Sequence, residues 1–115
     1  MALARKNRLR STGEIGPVIR RGRAVSNELA LMRYTPRHDG GDSRFAFVVS
    51  RKAIKKSSTR NIVRRRSAEW VRKHLIFFGG GHDIVLVFKK ASGELKRSVF
   101  YSLLADLFEK ANLFR

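Results

Sequence analysis

Residues 57–75 read SSTRNIVRRRSAEWVRKHL, and the reading of this stretch decides the fold. It joins dense positive charge to a helical pattern, and it holds the only Trp of the chain. At about 100° per residue, Val63, Trp70 and Val71 fall in one arc, with Ser67 and His74 between them. That arc is a narrow buried face. Asn61, Arg64, Arg65, Ala68 and Arg72 share a second arc, with Arg60 on the border. Arg66 and Lys73 point to the far side with Ile62. Ser57, Ser58 or Thr59 supplies the N-cap. Neighbouring cations on one helix face repel by tenths of a kcal/mol per pair, and Arg65 with Glu69 relieves only one such contact. A face built this way calls for an anion, and the planar guanidinium fork suits phosphate.

Downstream, Phe77 and Phe78 lead into the triple glycine of residues 79–81, a turn. DIVLVF (83–88) is a continuous apolar run bounded by turn signals, hence a strand buried on both faces. A last helix runs from about Gly93 to Asn112. Its positions Phe100, Leu103, Leu104, Leu107, Phe108 and Ala111 keep the spacing of a core-facing stripe.

Upstream, RFAFVVS (44–50) alternates cleanly, with Phe45, Phe47 and Val49 on one face and Ala46 and Val48 on the other. Residues 29–35, LALMRYT, read as another strand. The loop PRHDGGD (36–42) between them suggests a hairpin, so the two are expected to pair antiparallel. Ser11 and Glu14 form a capping-box pattern ahead of a short helix carrying Ile15, Val18 and Ile19. Pro17 fits only a first turn, so the helix is expected to start close to Gly16, or to be irregular, and to stop near Gly22. Residues 1–10 are basic and lack periodicity, which reads as an extended arm. The order is helix, two or three strands, helix, strand, helix: an α+β domain.

The chain has 115 residues, with 43% apolar, enough for one domain (1–115) with a single modest core. Its 26 Lys and Arg against nine Asp and Glu leave a net charge of +17. Such a balance opposes compaction and attracts polyanions by counterion release, which makes nucleic acid the leading partner. No Cys is present, which excludes disulfides and thiolate metal sites. No apolar run reaches the roughly 18 residues needed to span a bilayer. MALARKNRLR lacks the apolar stretch of a secretory signal. An intracellular, soluble protein is expected. His38, His74 and His82 have no spacing for metal binding or nucleophilic catalysis, so neither catalytic nor metal-ligating residues are assigned.

Arg60-Asn61, with Arg64-Arg65 and Glu69 following, resembles the RNRxKRxxRE signature of the bacterial ribonuclease P protein subunit. Lys6-Asn7-Arg8-Leu9-Arg10 is similar to that family's KxRL segment, and Arg21-Gly22 to its helix-ending turn. Phe47-Val48-Val49-Ser50-Arg51-Lys52 resembles its strand ending in VSKK, and His82-Asp83-Ile84-Val85 its YDIV strand. The resemblance spans almost the whole chain in the right order. It departs at Ile62 and Ala68, where the pattern has Arg, and at Ile15 and Ile19, where aromatic residues are usual.

The resemblance implies an αβββαβα two-layer sandwich whose βαβ crossover, through the RNR helix, is left-handed. It implies a protein cofactor, working in the cytoplasm, for a large catalytic RNA that carries the Mg2+ ions and removes the 5′ leader of precursor tRNA. One monomer per RNA is expected. Arg60, Asn61, Arg64 and Arg65 would contact RNA, helped by Arg51, Lys52 and Arg72. Ile15, Ile19, Phe45 and Phe47 would line the leader cleft, although alternating Phe in a strand also suits a core. Two alternatives stay open from the residues themselves: a structural RNA binder of ribosomal type, and a DNA-binding protein without helix-turn-helix spacing.

Overall fold

In chain order the elements are α1 (Thr12–Arg21), β1 (Arg23–Ser26), β2 (Ala30–Pro36), β3 (Arg44–Val48), α2 (Ser57–His74), β4 (His82–Phe88) and α3 (Arg97–Lys110). These come from a computed structural model that describes residues 3–114. The sheet has the order β1-β2-β4-β3, which confirms the α+β class. The apolar strand β4 lies inside it, antiparallel to β2 and parallel to β3. Strand β3, helix α2 and strand β4 therefore form the βαβ unit. The hairpin expected between β2 and β3 does not exist, because β4 separates them. The physical reason lies in β4 itself. Ile84, Leu86 and Phe88 enter one core cluster while Val85 enters another on the opposite face, and a strand apolar on both sides belongs in the middle of a sheet.

Helices α2 and α3 cover one face. Val63, Trp70 and Val71 of α2 and Phe100, Leu104, Leu107 and Phe108 of α3 are buried there against Phe45, Ile84 and Leu86. The anchoring arc of α2 is thus the one its periodicity predicts. Trp70 stacks on Phe108 at 5.4 Å, and Phe108 on Phe78 at 5.0 Å. Such aromatic pairs add about 0.5–1.5 kcal/mol each beyond the area they bury. On the other face α1 packs through Val18 and Ile15 onto Ala46 and Val85.

Several boundaries differ from the sequence expectation. Helix α1 starts at Thr12, ahead of Pro17, which sits inside it. Pro17 forfeits one backbone bond inside the helix, and the Ser11 cap together with the packing of Ile15 and Val18 holds α1 around it. The Ser11 hydroxyl accepts the Glu14 N–H at 3.2 Å, while Glu14 Oε1 accepts from the Arg10 N–H at 3.0 Å. Replacing Ser11 with Ala is therefore expected to cost about 1 kcal/mol, read as a shift in the urea midpoint with an unchanged slope. On α2 the N-cap is Lys56, with no side-chain cap, so Ser57, Ser58 and Thr59 lie just inside the helix. The last helix begins at Arg97, and a 3-10 turn occupies Lys90–Gly93.

Residues 3–10 are not a free extended arm. Arg5–Asn7 form a 3-10 turn, Arg8 bridges Phe45 in parallel register, and the Leu9 N–H donates to the Phe45 carbonyl at 2.9 Å. Leu3, Asn7 and Leu9 are buried, and burial of Leu3 and Leu9 fastens the segment to the outer edge of β3.

Candidate nucleic-acid interface

The arm, α1, β3 and α2 enclose a cleft of about 630 Å³. Its apolar floor includes Ile15 from α1 and Phe45 and Phe47 from β3, and its α2 wall carries Asn61, Arg64, Arg65 and Ala68. Arg8 and Arg10 of the arm complete the rim. Four arginines thus surround an apolar floor, and among the described residues no carboxylate lines it.

Six of the residues singled out in the sequence meet here: Ile15, Phe45, Phe47, Asn61, Arg64 and Arg65. Phe45 is both core and floor, with its ring 5.6 Å from Phe78 and only 1% of its surface exposed. Phe47 is half-buried, 6.5 Å from the Phe88 ring. Asn61 Oδ1 accepts from Arg64 Nη1 at 3.0 Å, which holds that guanidinium in place, whereas the Arg65 side chain makes no hydrogen bond or ion pair among the described residues. A guanidinium already anchored loses less rotamer entropy when it meets a phosphate.

The other expected residues lie outside this cleft. Arg60 donates through Nη1 to the carbonyls of Ile54 and Lys55 at 2.9 and 2.7 Å, bracing the entry into α2. Arg51 and Lys52 occupy the exposed or half-exposed turn after β3, and Ile19 is 40% exposed on α1. Arg72 continues the polar arc beyond the cleft, and its buried Nε lacks a hydrogen-bond partner. Glu69 pairs with Lys73 at 3.3 Å, not with Arg65, and this bond chiefly holds its carboxyl below the ordinary range. Arg66 is structural: it donates to the Leu95 carbonyl at 3.2 Å and lies 5.6 Å over the Phe100 ring.

Sequence reasoning overlooked Arg8 and Arg10 as cleft residues. A signal was present, since Arg8-Leu9-Arg10 alternates out, in, out as an edge strand does.

Behind the cleft stands an ionic clamp. Arg44 donates to both oxygens of Asp83 at 2.8 Å and, through Nη1, to Glu14 Oε2 at 2.8 Å. Arg44 and Asp83 are paired positions of β3 and β4, so the ion pair fixes strand register while reaching across to α1. The bond to Asp83 raises the Arg44 pKa. The Arg10 N–H, followed by the Arg44 charge, lowers that of Glu14. Among the described residues no helix is long and apolar enough to cross a membrane, and no group of three His, Asp or Glu is placed to hold a metal ion.

Comparisons with known proteins agree with this architecture. The ribonuclease P family profile matches residues 3–112. The ribonuclease P protein component of Clostridium botulinum is 32% identical over 111 residues, covering 96% of this chain and 98% of that one. That of Clavibacter michiganensis is 38% identical over 64 residues, 56% of either chain. The solved ribonuclease P protein of Staphylococcus aureus superimposes with a TM-score of 0.87 at 16% identity, covering 95% of this chain and 98% of that one, which supports the fold alone. On the profile match and the full-length relative, the chain belongs to the ribonuclease P protein family.

Proposed function

We infer that the chain is the protein cofactor of a ribonuclease P ribozyme in tRNA 5′ maturation, and that the cleft receives the single-stranded 5′ leader of precursor tRNA. One observation carries the reading: a groove with an apolar, partly aromatic floor, walled by four arginines and Asn61, with no carboxylate among its described lining residues. Single-stranded nucleic acid is bound by this combination, with phosphates tracking the charge and bases lying on the apolar floor. With Ile15 and Ala46 beside Phe47, the floor offers more apolar contact than ring stacking, so recognition of the leader is tolerant of sequence.

The proposed division of labour follows from the side chains. Arg64 and Arg65 neutralise phosphate, Asn61 fixes Arg64, and Phe47 with Ile15 contacts bases or sugars. Arg51, Lys52 and Arg72 lie outside the cleft and are free to meet the catalytic RNA. Magnesium and the hydrolytic step belong to that RNA, and the protein's part is to position the leader and to lower charge repulsion between two polyanions.

The test is a cleavage assay on precursor tRNA. The protein alone should leave the substrate intact, and its addition to the cognate catalytic RNA should lower the magnesium concentration that half-maximal cleavage requires. Leader release by the protein alone would overturn the assignment. So would an unchanged magnesium requirement.

A further inference from the structure

We propose that the leader track continues out of the cleft into a second, basic basin on the far side of the N-terminal arm, where it takes further phosphodiesters of the same strand. This rests on the leader reading above and extends it. The basin has a volume of about 590 Å³ and is lined by Arg5, Lys6, Arg8, Arg10, Arg37 and Arg44, against Glu14 and Asp42.

Two features join the basin to the cleft. Arg8 and Arg10 line both spaces, so a polyanion leaving the cleft meets no neutral gap. The arm between them is fastened at Leu9, with Arg8 and Arg10 exposed on either side of it. Leu9 makes the arm a fixed ridge, and its flanking arginines form a bridge over that ridge.

The basin's charges divide into committed and free. Arg44 is saturated by Asp83 and Glu14, and Arg37 by Asp39 and the Asp42 carbonyl. Lys6 only approaches Asp42, at 3.8 Å, with both side chains largely exposed. Among the described residues the guanidinium groups of Arg5, Arg8 and Arg10 make no hydrogen bond or ion pair, and Arg10 only adds to the field at Glu14. The committed pair builds the wall, and the free cations are available to a ligand. Their chemistry suits a flexible chain of phosphates: cations in a row with no apolar floor to hold a base.

The experiment uses the reconstituted holoenzyme with precursor tRNAs whose leaders are about 4 and about 12 nucleotides long, both within the roughly 4–16-nucleotide site sizes of single-strand binders. The variant is Arg5→Ala with Lys6→Ala, both exposed and outside the cleft. The wild type should bind the longer leader more tightly, by about tenfold at low salt. The variant should lose that gain while binding the short-leader substrate as the wild type does. The salt dependence of the gain should fall by roughly 0.7 per lost phosphate contact.

Equal loss on both substrates would overturn the basin as a leader site, as would a wild type indifferent to leader length. Weakened binding to the catalytic RNA in the absence of precursor would assign the basin to that RNA instead. Arg64→Ala serves as the separate check on the cleft: if it leaves short-leader binding unchanged, the leader reading itself fails, whatever the basin does.

Discussion

Arg44→Met is expected to destabilise the fold by about 2–3 kcal/mol and to weaken leader binding without touching a cleft arginine. The magnitude lies between those of exposed and fully buried ion pairs, because the Arg44 side chain is 24% exposed and that of Asp83 is 15% exposed. Met keeps the apolar stem but strands the Asp83 carboxylate at the start of β4, and desolvation of that unpaired charge is most of the cost. Adding Asp83→Asn removes the stranded charge, so the double variant should recover part of the loss. The functional consequence follows from adjacency. Arg10, Glu14–Ile15 and Arg44–Phe45 bring together the arm, α1 and β3, and each bears on a cleft wall. With the clamp cut, α1 keeps its apolar packing on the sheet, through Val18 and Ile15 in a cluster with Ala46 of β3 and Val85 of β4. Urea unfolding gives the stability, and leader-dependent affinity gives the cleft. A variant as stable as the wild type would remove the clamp from this account.

The same clamp sets a direction for pH dependence. The Glu14 carboxyl is held below its ordinary value of 4.5, first by the Arg10 N–H and then by Arg44. A carboxylate with a depressed pKa contributes stability that is fully present above its unfolded value and lost as pH falls through the folded one. Asp39 beside Arg37 and Asp106 beside Asn27 and Lys110 are lowered as well, so they add to the same acid limb. Glu14→Gln should remove the clamp's share of that limb and leave the neutral-pH side flat.

Much of this architecture was legible because burial periodicity is a local property. The alternation of Phe45, Phe47 and Val49 with Ala46 and Val48 reports two faces of β3, and the arc of Val63, Trp70 and Val71 reports the buried side of α2. Strand order is not local. The loop at 36–42 reports that the chain turns, not which strand it leaves as neighbour. The two apolar faces of β4 were the stronger clue, since they demand a packed layer over each face of the sheet, which a central strand receives. Strand β1 was hard to place because it is short, largely exposed and carries Arg23. Charge was legible in total but not in its commitments. Arg60, Arg64 and Arg66 look alike in sequence, yet one braces backbone carbonyls, one lines the cleft beside Asn61, and one caps the Phe100 ring. Ala68 also becomes clearer. Where the family pattern has Arg, a methyl group lines the cleft together with Leu3, which trades a cation for apolar wall.

Substituting both Arg64 and Arg65 with Ala is expected to cost roughly 2–3 kcal/mol in leader-dependent binding, about 30- to 150-fold, from two charge-assisted contacts. Both are changed because their settings differ: Arg64 is pre-set by Asn61, whereas Arg65 makes no hydrogen bond or ion pair among the described residues and, on the proposed reading, would follow the strand. The slope of log affinity against log salt should fall by about 1.4, at about 0.7 for each single-strand phosphate contact. Asn61→Ala separates positioning from charge: it should weaken binding with the salt slope intact, because both guanidinium groups remain. Arg66→Ala makes the opposite control. It removes one formal charge from the same helix, but its guanidinium is spent on the Leu95 carbonyl and Phe100, so stability should fall more than affinity. Affinity is read as the difference between precursor and mature tRNA on the holoenzyme, which cancels contacts to the tRNA body. If the double variant weakened both substrates equally, the two arginines would belong to the interface with the catalytic RNA. The cleft would then retain its apolar floor and the arm arginines, a surface too weakly charged on the α2 side to hold a leader.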